Sequence, residues 1–323
     1  NCPSLNKITI ESNINNNNNP KVELGENCFS GAINLEEILF RGGNIEIDDK
    51  CFDQCSKLKN LDFINVKSVI IDNNSFINFG SLENINIKSD SDVELKSKCF
   101  YGVPNIKKVK IECKNLSIKN SSFEGCESLS TLRLESSGKI EIGNRSFYKC
   151  NKLTEINFKA GSNLEIENSC FNSTKITRVS LNGEKIDIRE RCFQYCSSLN
   201  TLSIQSSQTA KLGYCAFDEC SNLNNLNVKA DDEINAGIFC FRNAKNLHSF
   251  TFNSKVISIN EECFKNCAIN SIILQNANEF YYYSNSFERF GKINIQKDDR
   301  TSIMEYEKEQ NGILRKLRNK KKK

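Results

Sequence analysis

Cys51-Phe52-Asp53-Gln54-Cys55-Ser56-Lys57-Leu58-Lys59-Asn60-Leu61-Asp62-Phe63 is the stretch that decides the fold. A compact segment around Phe52 runs into an alternating Leu-x-x-Leu-x-Phe tract, and the same order returns along most of the chain. Phe29, Phe52, Phe76, Phe100, Phe123, Phe147, Phe171, Phe193, Phe217, Phe241, Phe264 and Phe287 lie 22 to 24 residues apart. A fixed period of that size is the signature of a stacked array.

Other positions keep step with these rings. Leu58, Leu82, Leu129 and Leu199 follow their Phe by six residues. Leu61, Ile85, Leu132 and Leu202 come next, then Phe63, Ile87, Leu134 and Ile204. The units at Phe171 and Phe264 drop one residue and recover phase at Ile176 and Ile269. A second apolar pair precedes the Phe, as in Ile45 and Ile47 or Ile140 and Ile142. Alternation at period two marks a half-buried strand, so each unit is expected to carry two short strands. Between them, Cys51, Phe52 and Cys55 would share one side of a single helical or 3₁₀ turn. A lone unit cannot offset the entropy of ordering its own backbone, so the units must stack and bury their flat sides against one another.

The expected fold is a leucine-rich-repeat-like solenoid of about 12 coils over residues 1–298, β-rich with short helical turns and an Asn-rich loop at 13–20. Residues 299–323 are expected to form a capping α-helix and a basic tail. Ser302-Ile303-Met304-Glu305 has the Ser-x-x-Glu form of a capping box. Ile303, Tyr306, Ile313, Leu314 and Leu317 follow near helical spacing. The opening Cys2-Pro3-Ser4-Leu5 fits the register of Cys55 to Leu58, so the chain starts in mid-repeat and more protein is expected upstream.

The repeat resembles the BspA-like (Treponema pallidum-type) class of leucine-rich repeats, most clearly over Cys51 to Phe63 and Phe123 to Leu134. The resemblance covers roughly residues 1 to 295. It departs from that class in lacking the Pro after the first strand and the Gly-x-x-Ala-Phe form of the turn; only Cys215-Ala216-Phe217 keeps Ala before the ring. The resemblance implies a surface protein that contacts host molecules or other cells. It carries no catalytic residues to transfer.

Composition agrees with a folded chain, at 38% hydrophobic and 26% charged residues. The net charge of +4 is misleading, because the last nine residues, Arg315 to Lys323, hold seven Lys and Arg and leave the remainder slightly acidic. A nucleic-acid partner would rest on that tail alone, and membrane contact would run through Lys320–Lys323 only. No run of about 18 apolar residues suggests a spanning helix.

Sixteen Cys raise disulfide and metal readings. They recur just before the Phe and three after it, where they exchange with Ser75, Ser122, Ser146, Ala32, Val103 and Ala244. That exchange describes small core residues, with an occasional inter-coil disulfide such as Cys28 with Cys51 left open. One histidine, His248, and no Cys-x-x-Cys pair give no zinc site and no triad, so no catalytic, cofactor or metal residues are assigned. Glu23, Glu46, Glu94, Glu141, Glu165 and Asp187 recur at one outward position of the second strand and would stack as an acidic stripe. The outward positions of the first strand are the stronger binding candidates. Among them Lys108, Lys110, Arg133 and Arg178 would form a basic patch beside Asn84, Asn86, Glu155 and Asn157. The expected function is a non-catalytic interaction or adhesion module at a cell surface, or secreted, meeting a protein or glycan-bearing partner. The alternative is an intracellular scaffold whose basic tail docks to membrane or nucleic acid.

Overall fold

The computed structural model describes residues 4–12, 20–77, 79–287, 293–308 and 314–319. The chain falls into two compact units, Asn1–Ser162 and Asn163–Lys323. Each is a parallel β-solenoid, and together they supply about twelve coils.

In the first unit the chain order is β1 (Lys7–Glu11), β2 (Lys21–Leu24), β3 (Glu37–Arg41), β4 (Asn44–Ile47), β5 (Asn60–Val66), β6 (Ser68–Ile71) and β7 (Asn84–Ser89). It continues with β8 (Asp92–Leu95), β9 (Lys108–Cys113), β10 (Asn115–Ile118), β11 (Thr131–Ser136), β12 (Ile140–Ile142) and β13 (Glu155–Ala160). Odd strands form one parallel ladder and even strands a second. Register is strict: Leu61 pairs with Ile85, Ile85 with Val109, and Val109 with Leu132. Every second side chain is therefore buried, as in Val109, Ile111 and Cys113 of β9.

The second unit contains β14 (Leu164–Ile166), β15 (Arg178–Ile188), β16 (Thr201–Leu212), β17 (Asn225–Ala230), β18 (Glu233–Ala236) and β19 (Ser249–Asn253). After these come β20 (Val256–Ile259), β21 (Ser271–Gln275), β22 (Glu279–Tyr283), β23 (Asn294–Gln296), β24 (Ser302–Lys308) and β25 (Leu314–Asn319). β15 and β16 are long enough to join both ladders, so β16 pairs with β17 through one half and β18 through the other.

Within each unit the repeated rings stack face to face. From Phe29 to Phe147 successive centroids are 5.0–5.5 Å apart. From Phe171 to Phe287 they are 5.1–5.3 Å apart. That spacing follows the ~4.8 Å between neighbouring strands and suits an offset ring pair.

The segment around each Phe is not helical, and no helix occurs among the described residues. It is a chain of single turns, with the Asp53 amide bonded to the Lys50 carbonyl and the Cys55 amide to the Phe52 carbonyl. Left-handed residues interrupt any helix: Lys50 at φ 53° and Gln54 at φ 62°. The pattern recurs two residues before and two after the ring, as at Arg145 and Lys149 or Arg191 and Tyr195. Such a conformation costs an L-residue ~1–2 kcal/mol. It turns the backbone amides along the stacking direction, where the Phe29 amide meets the Cys51 carbonyl at 2.8 Å and the Gly31 amide meets that of Asp53 at 2.8 Å. The same bond links Phe100 to Ser122, Phe193 to Ala216 and Phe241 to Cys263. The turns thus form a third inter-coil ladder.

The expected terminal helix is also corrected. Ser302–Lys308 is strand β24, parallel to β22, with Phe280 opposite Ile303. The open edge of β22 is a template for a strand, and pairing on it buries Ile303 and carries the Ser302 amide to the Asn278 carbonyl. β25 then returns antiparallel to β24. The Lys320–Lys323 tail and Asn13 to Asn19 of the Asn-rich loop lie outside the described residues.

No disulfide joins Cys28 to Cys51, and thirteen of the fifteen described cysteines are buried. Many do more than fill space. Cys55 Sγ donates to the Phe29 carbonyl at 3.2 Å, and Cys126, Cys196 and Cys220 repeat the contact to the ring residue of the preceding coil. Serines before the ring span two coils, as when Ser146 Oγ donates to both Gly143 and Lys119. Asparagines add amide links, such as Asn84 Nδ2 to Asn60 Oδ1 at 2.8 Å and Asn266 Nδ2 to Asn243 Oδ1 at 2.7 Å.

Two outcomes are expected. Gln54→Gly, which relieves a left-handed residue, should raise stability by ~0.5–1 kcal/mol in urea unfolding despite the freer unfolded chain; a loss would contradict the strain argument. Burial pushes Cys51, Cys113 and Cys126 up to about 12 from an ordinary value of about 9. Between those values the unfolded chain releases thiol protons that the folded chain keeps. Stability should therefore fall as pH rises through that window, and fall less steeply in Cys126→Ala. Equal slopes in the two proteins would refute the cause.

Candidate functional site

The outward side chains of the first ladder stand in columns. Asn60, Asn84 and Lys108 occupy one in β5, β7 and β9, continued by Thr131 in β11. Asp62, Asn86, Lys110, Arg133 and Asn157 occupy the next. Burial raises the Asp62 carboxyl above its usual range, with the nearby Glu37 charge adding to the effect and Asn86 opposing it. A third column, Lys88, Glu112, Glu135 and Lys159, changes the electrostatics. Lys110 lies 2.6 Å from Glu112, and Arg133 lies 2.7 Å from Glu135. Two of the expected basic residues are therefore locally balanced, in surface pairs that are individually worth ~0–1 kcal/mol. Lys108 is exposed and has no ion-pair partner among the described residues. Glu155 opens β13 in the first unit, and Arg178 opens β15 in the second, in register with Thr201.

The acidic stripe is broken. Glu23 does sit beside Glu46, but Lys21 bridges both, which raises the lysine pKa. Ile70 then separates Glu46 from Glu94, and Ser117 separates Glu94 from Glu141. In the second unit Glu165 meets Asp187, and Lys211 follows. Glu46, Asp48 and Asp72 come together closely enough to share a cation, but Lys96 already contacts Asp72 at 3.0 Å.

A different surface gathers stronger chemistry: the turn edge. In the first unit Arg145 lies 2.7 Å from Glu124 and 4.3 Å from the Tyr148 ring. Burial alone would raise the Glu124 carboxyl; hydrogen bonds from Arg145 and Ser121, with the Arg145 charge, outweigh it and hold the group low. In the second unit Asp218 is fully buried, and Arg242 bonds it twice, at 2.9 and 2.7 Å, with Gln194 completing the shell at 2.9 Å. The Arg242 guanidinium also lies 4.6 Å from the Phe239 ring, which meets Tyr214 edge-on at 5.8 Å. Arg191 covers Tyr214 at 5.4 Å, and Tyr195 and Ile238 are exposed alongside in the sequence.

Beside Tyr214 runs a groove of about 540 Å³. Gly213 and Gly237, just past the second strand in two consecutive coils, are among its lining residues. A Cβ on Gly213 would come within 2.8 Å of the Ile188 carbonyl oxygen, and one on Gly237 within 2.8 Å of that of Leu212. Asn168, Asp187, Arg189, Glu190, Lys211 and Asn235 are among its lining residues.

With this geometry the repeats can be placed among known proteins. The family model described as BspA type Leucine rich repeat region matches residues 1–130, 93–224 and 164–294, in overlapping stretches. This chain belongs to the BspA-type leucine-rich-repeat family. A leucine-rich repeat protein from Bacteroides ovatus is similar in structure, at 17% identity, TM-score 0.49 and 92% coverage of both chains. A leucine rich cell surface protein from Faecalibacterium prausnitzii is 16% identical, with a TM-score of 0.28, over 72% of this chain and 83% of its own. No curated protein matches in sequence.

For a BspA-type array, the turn-edge cluster was reachable from sequence by register arithmetic. Asp218 and Arg242 occupy the same position after successive rings, 24 residues apart. Removing Arg242 strands a buried carboxylate, so Arg242→Ala should cost ~3–5 kcal/mol in chemical unfolding. Asp218→Leu with Arg242→Met should recover most of that loss. A single variant as stable as the parent would show that the clamp carries no load.

Proposed function

We infer that this BspA-type chain is a non-catalytic recognition and adhesion module at a cell surface, meeting a protein or glycan-bearing partner over its first strand ladder. Leucine-rich-repeat families of this kind act as protein-interaction modules. The carrying observation is that outward side chains at alternate strand positions are held in fixed columns by the parallel register. Asn84, Asn86, Lys108, Lys110, Arg133, Glu155 and Asn157 thus form a surface patterned by the backbone, and Arg178 holds an outward strand position in the second unit. Such a surface binds without prior ordering of loops, which lowers the entropy cost of association. Burial holds the core thiols protonated, which opposes their use as nucleophiles. His248 is exposed, with Nδ1 3.3 Å from the Ala268 carbonyl oxygen.

Binding of whole cells to surfaces coated with the full chain tests this reading. Reversal of Lys108, Lys110, Arg133 and Arg178 to Glu should abolish capture while circular dichroism and the thermal midpoint stay close to the parent. Undiminished capture by the reversed protein would remove the strand face from the function.

A further inference from the structure

We propose that the groove over Gly213 and Gly237 is a binding site for a short, neutral oligosaccharide. It lies on the second ladder and the turn edge, so it stands independently of the strand-face reading.

The shape comes first. In neighbouring coils the position just past the second strand carries the side chains of Glu167, Arg189 and Asn260, but Gly213 and Gly237 carry none and sit against the backbone of the coil before. Their backbones lie directly on the preceding coil, with the Gly213 amide bonded to the Ile188 carbonyl and the Gly237 amide to the Leu212 carbonyl, each at 2.7 Å. The trough there is bounded by Arg189 and Glu190 and flanked by the Tyr214 ring. Its volume, about 540 Å³, falls in the range of ordinary ligand sites and suits two or three sugar residues.

The chemistry narrows the ligand. Glu167, Asp187 and Glu190 offer carboxylates that accept from hydroxyl groups, while Arg189, Lys211, Asn168 and Asn235 offer donors. Donors and acceptors alternate along the groove: Asp187, Lys211 and Asn235 are consecutive in one column. Polyols require such mixed pairing at close intervals. The acids outnumber the bases, which disfavours polyanions. Arg189 is already drawn to Asp187 at 3.3 Å, which weakens the pull on a polycation. Ile188 and Leu212 are buried, so neither offers an aliphatic side chain to a lipid. Tyr214 is 37% exposed and, with Arg191 lying over its ring, offers the remaining ring surface and a polar end to a sugar. Coils succeed one another every ~4.8 Å. That is close to the length one pyranose adds to an extended chain, so successive sugars would meet equivalent positions in successive coils.

Calorimetric titration of the full chain with cellotriose, maltotriose and chitotriose tests this, with a heparin tetrasaccharide and an arginine-rich hexapeptide as charged probes. At least one neutral trisaccharide should bind saturably. Tyr214→Ala should weaken it about tenfold, or ~1.4 kcal/mol, with an unchanged thermal midpoint. The pair Glu190→Gln and Lys211→Ala, both exposed and on the groove wall, should weaken it as well. The strand-face reversal should leave it unchanged. Failure of all three neutral sugars, binding confined to the charged probes, or a neutral sugar indifferent to both groove variants would overturn the proposal.

Discussion

The backbone hydrogen bond that runs from a ring Phe to the carbonyl just before the next ring, as from Phe29 to Cys51 and from Phe241 to Cys263, sets the terms for everything else. It forms because residues on both sides of the Phe adopt left-handed backbone and turn their amides along the stacking direction. A coil that satisfies this bond must copy the shape of its neighbour. Register follows, and with it the superposition of rings and the pairing of strands. The period of 22 to 24 residues is therefore the length of chain needed to return to the same hydrogen-bonded position.

Side chains continue the same logic. Ser and Cys share the inner turn positions because each is small and can give a hydrogen to a carbonyl left with a spare lone pair. Asn is abundant where its amide can bridge to the coil before it. The inner Ser and Cys held in these links are unavailable for recognition. What remains is the outward strand columns and the turn edge, and these two surfaces differ in kind. The strand face is polar and locally charge-balanced, whereas the edge concentrates aromatic rings and guanidinium groups.

Most of the interior was legible in the sequence, because Phe and aliphatic positions repeat with a period that no single coil could explain. The helical turn misled because Lys50, Gln54 and Arg145 carry no outward mark of left-handed backbone; glycine, the usual sign, stands two residues after the ring only in some coils, at Gly31, Gly102 and Gly125. The terminal helix misled because Ile303 and Tyr306 fit a helical spacing as well as a strand, and only the free edge of β22 decides between them. Of the candidate surface, the strand columns could be read directly. The salt links to Glu112 and Glu135 could not, since the glutamates sit on a column given no weight. The groove at Gly213 and Gly237 escaped notice because its lining is gathered from several coils, from Glu167 to Gly237.

The left-handed turn positions also loosen a tie between folding and surface chemistry. Asn27, Lys50, Asn74, Lys98, Ser121 and Arg145 hold nearly the same dihedral angle although their side chains share little. The backbone both bears the strain and relieves it, so the identity of the side chain is left almost unconstrained. Selection can rewrite the rim of such an array one residue at a time, testing new contacts without disturbing the scaffold that displays them.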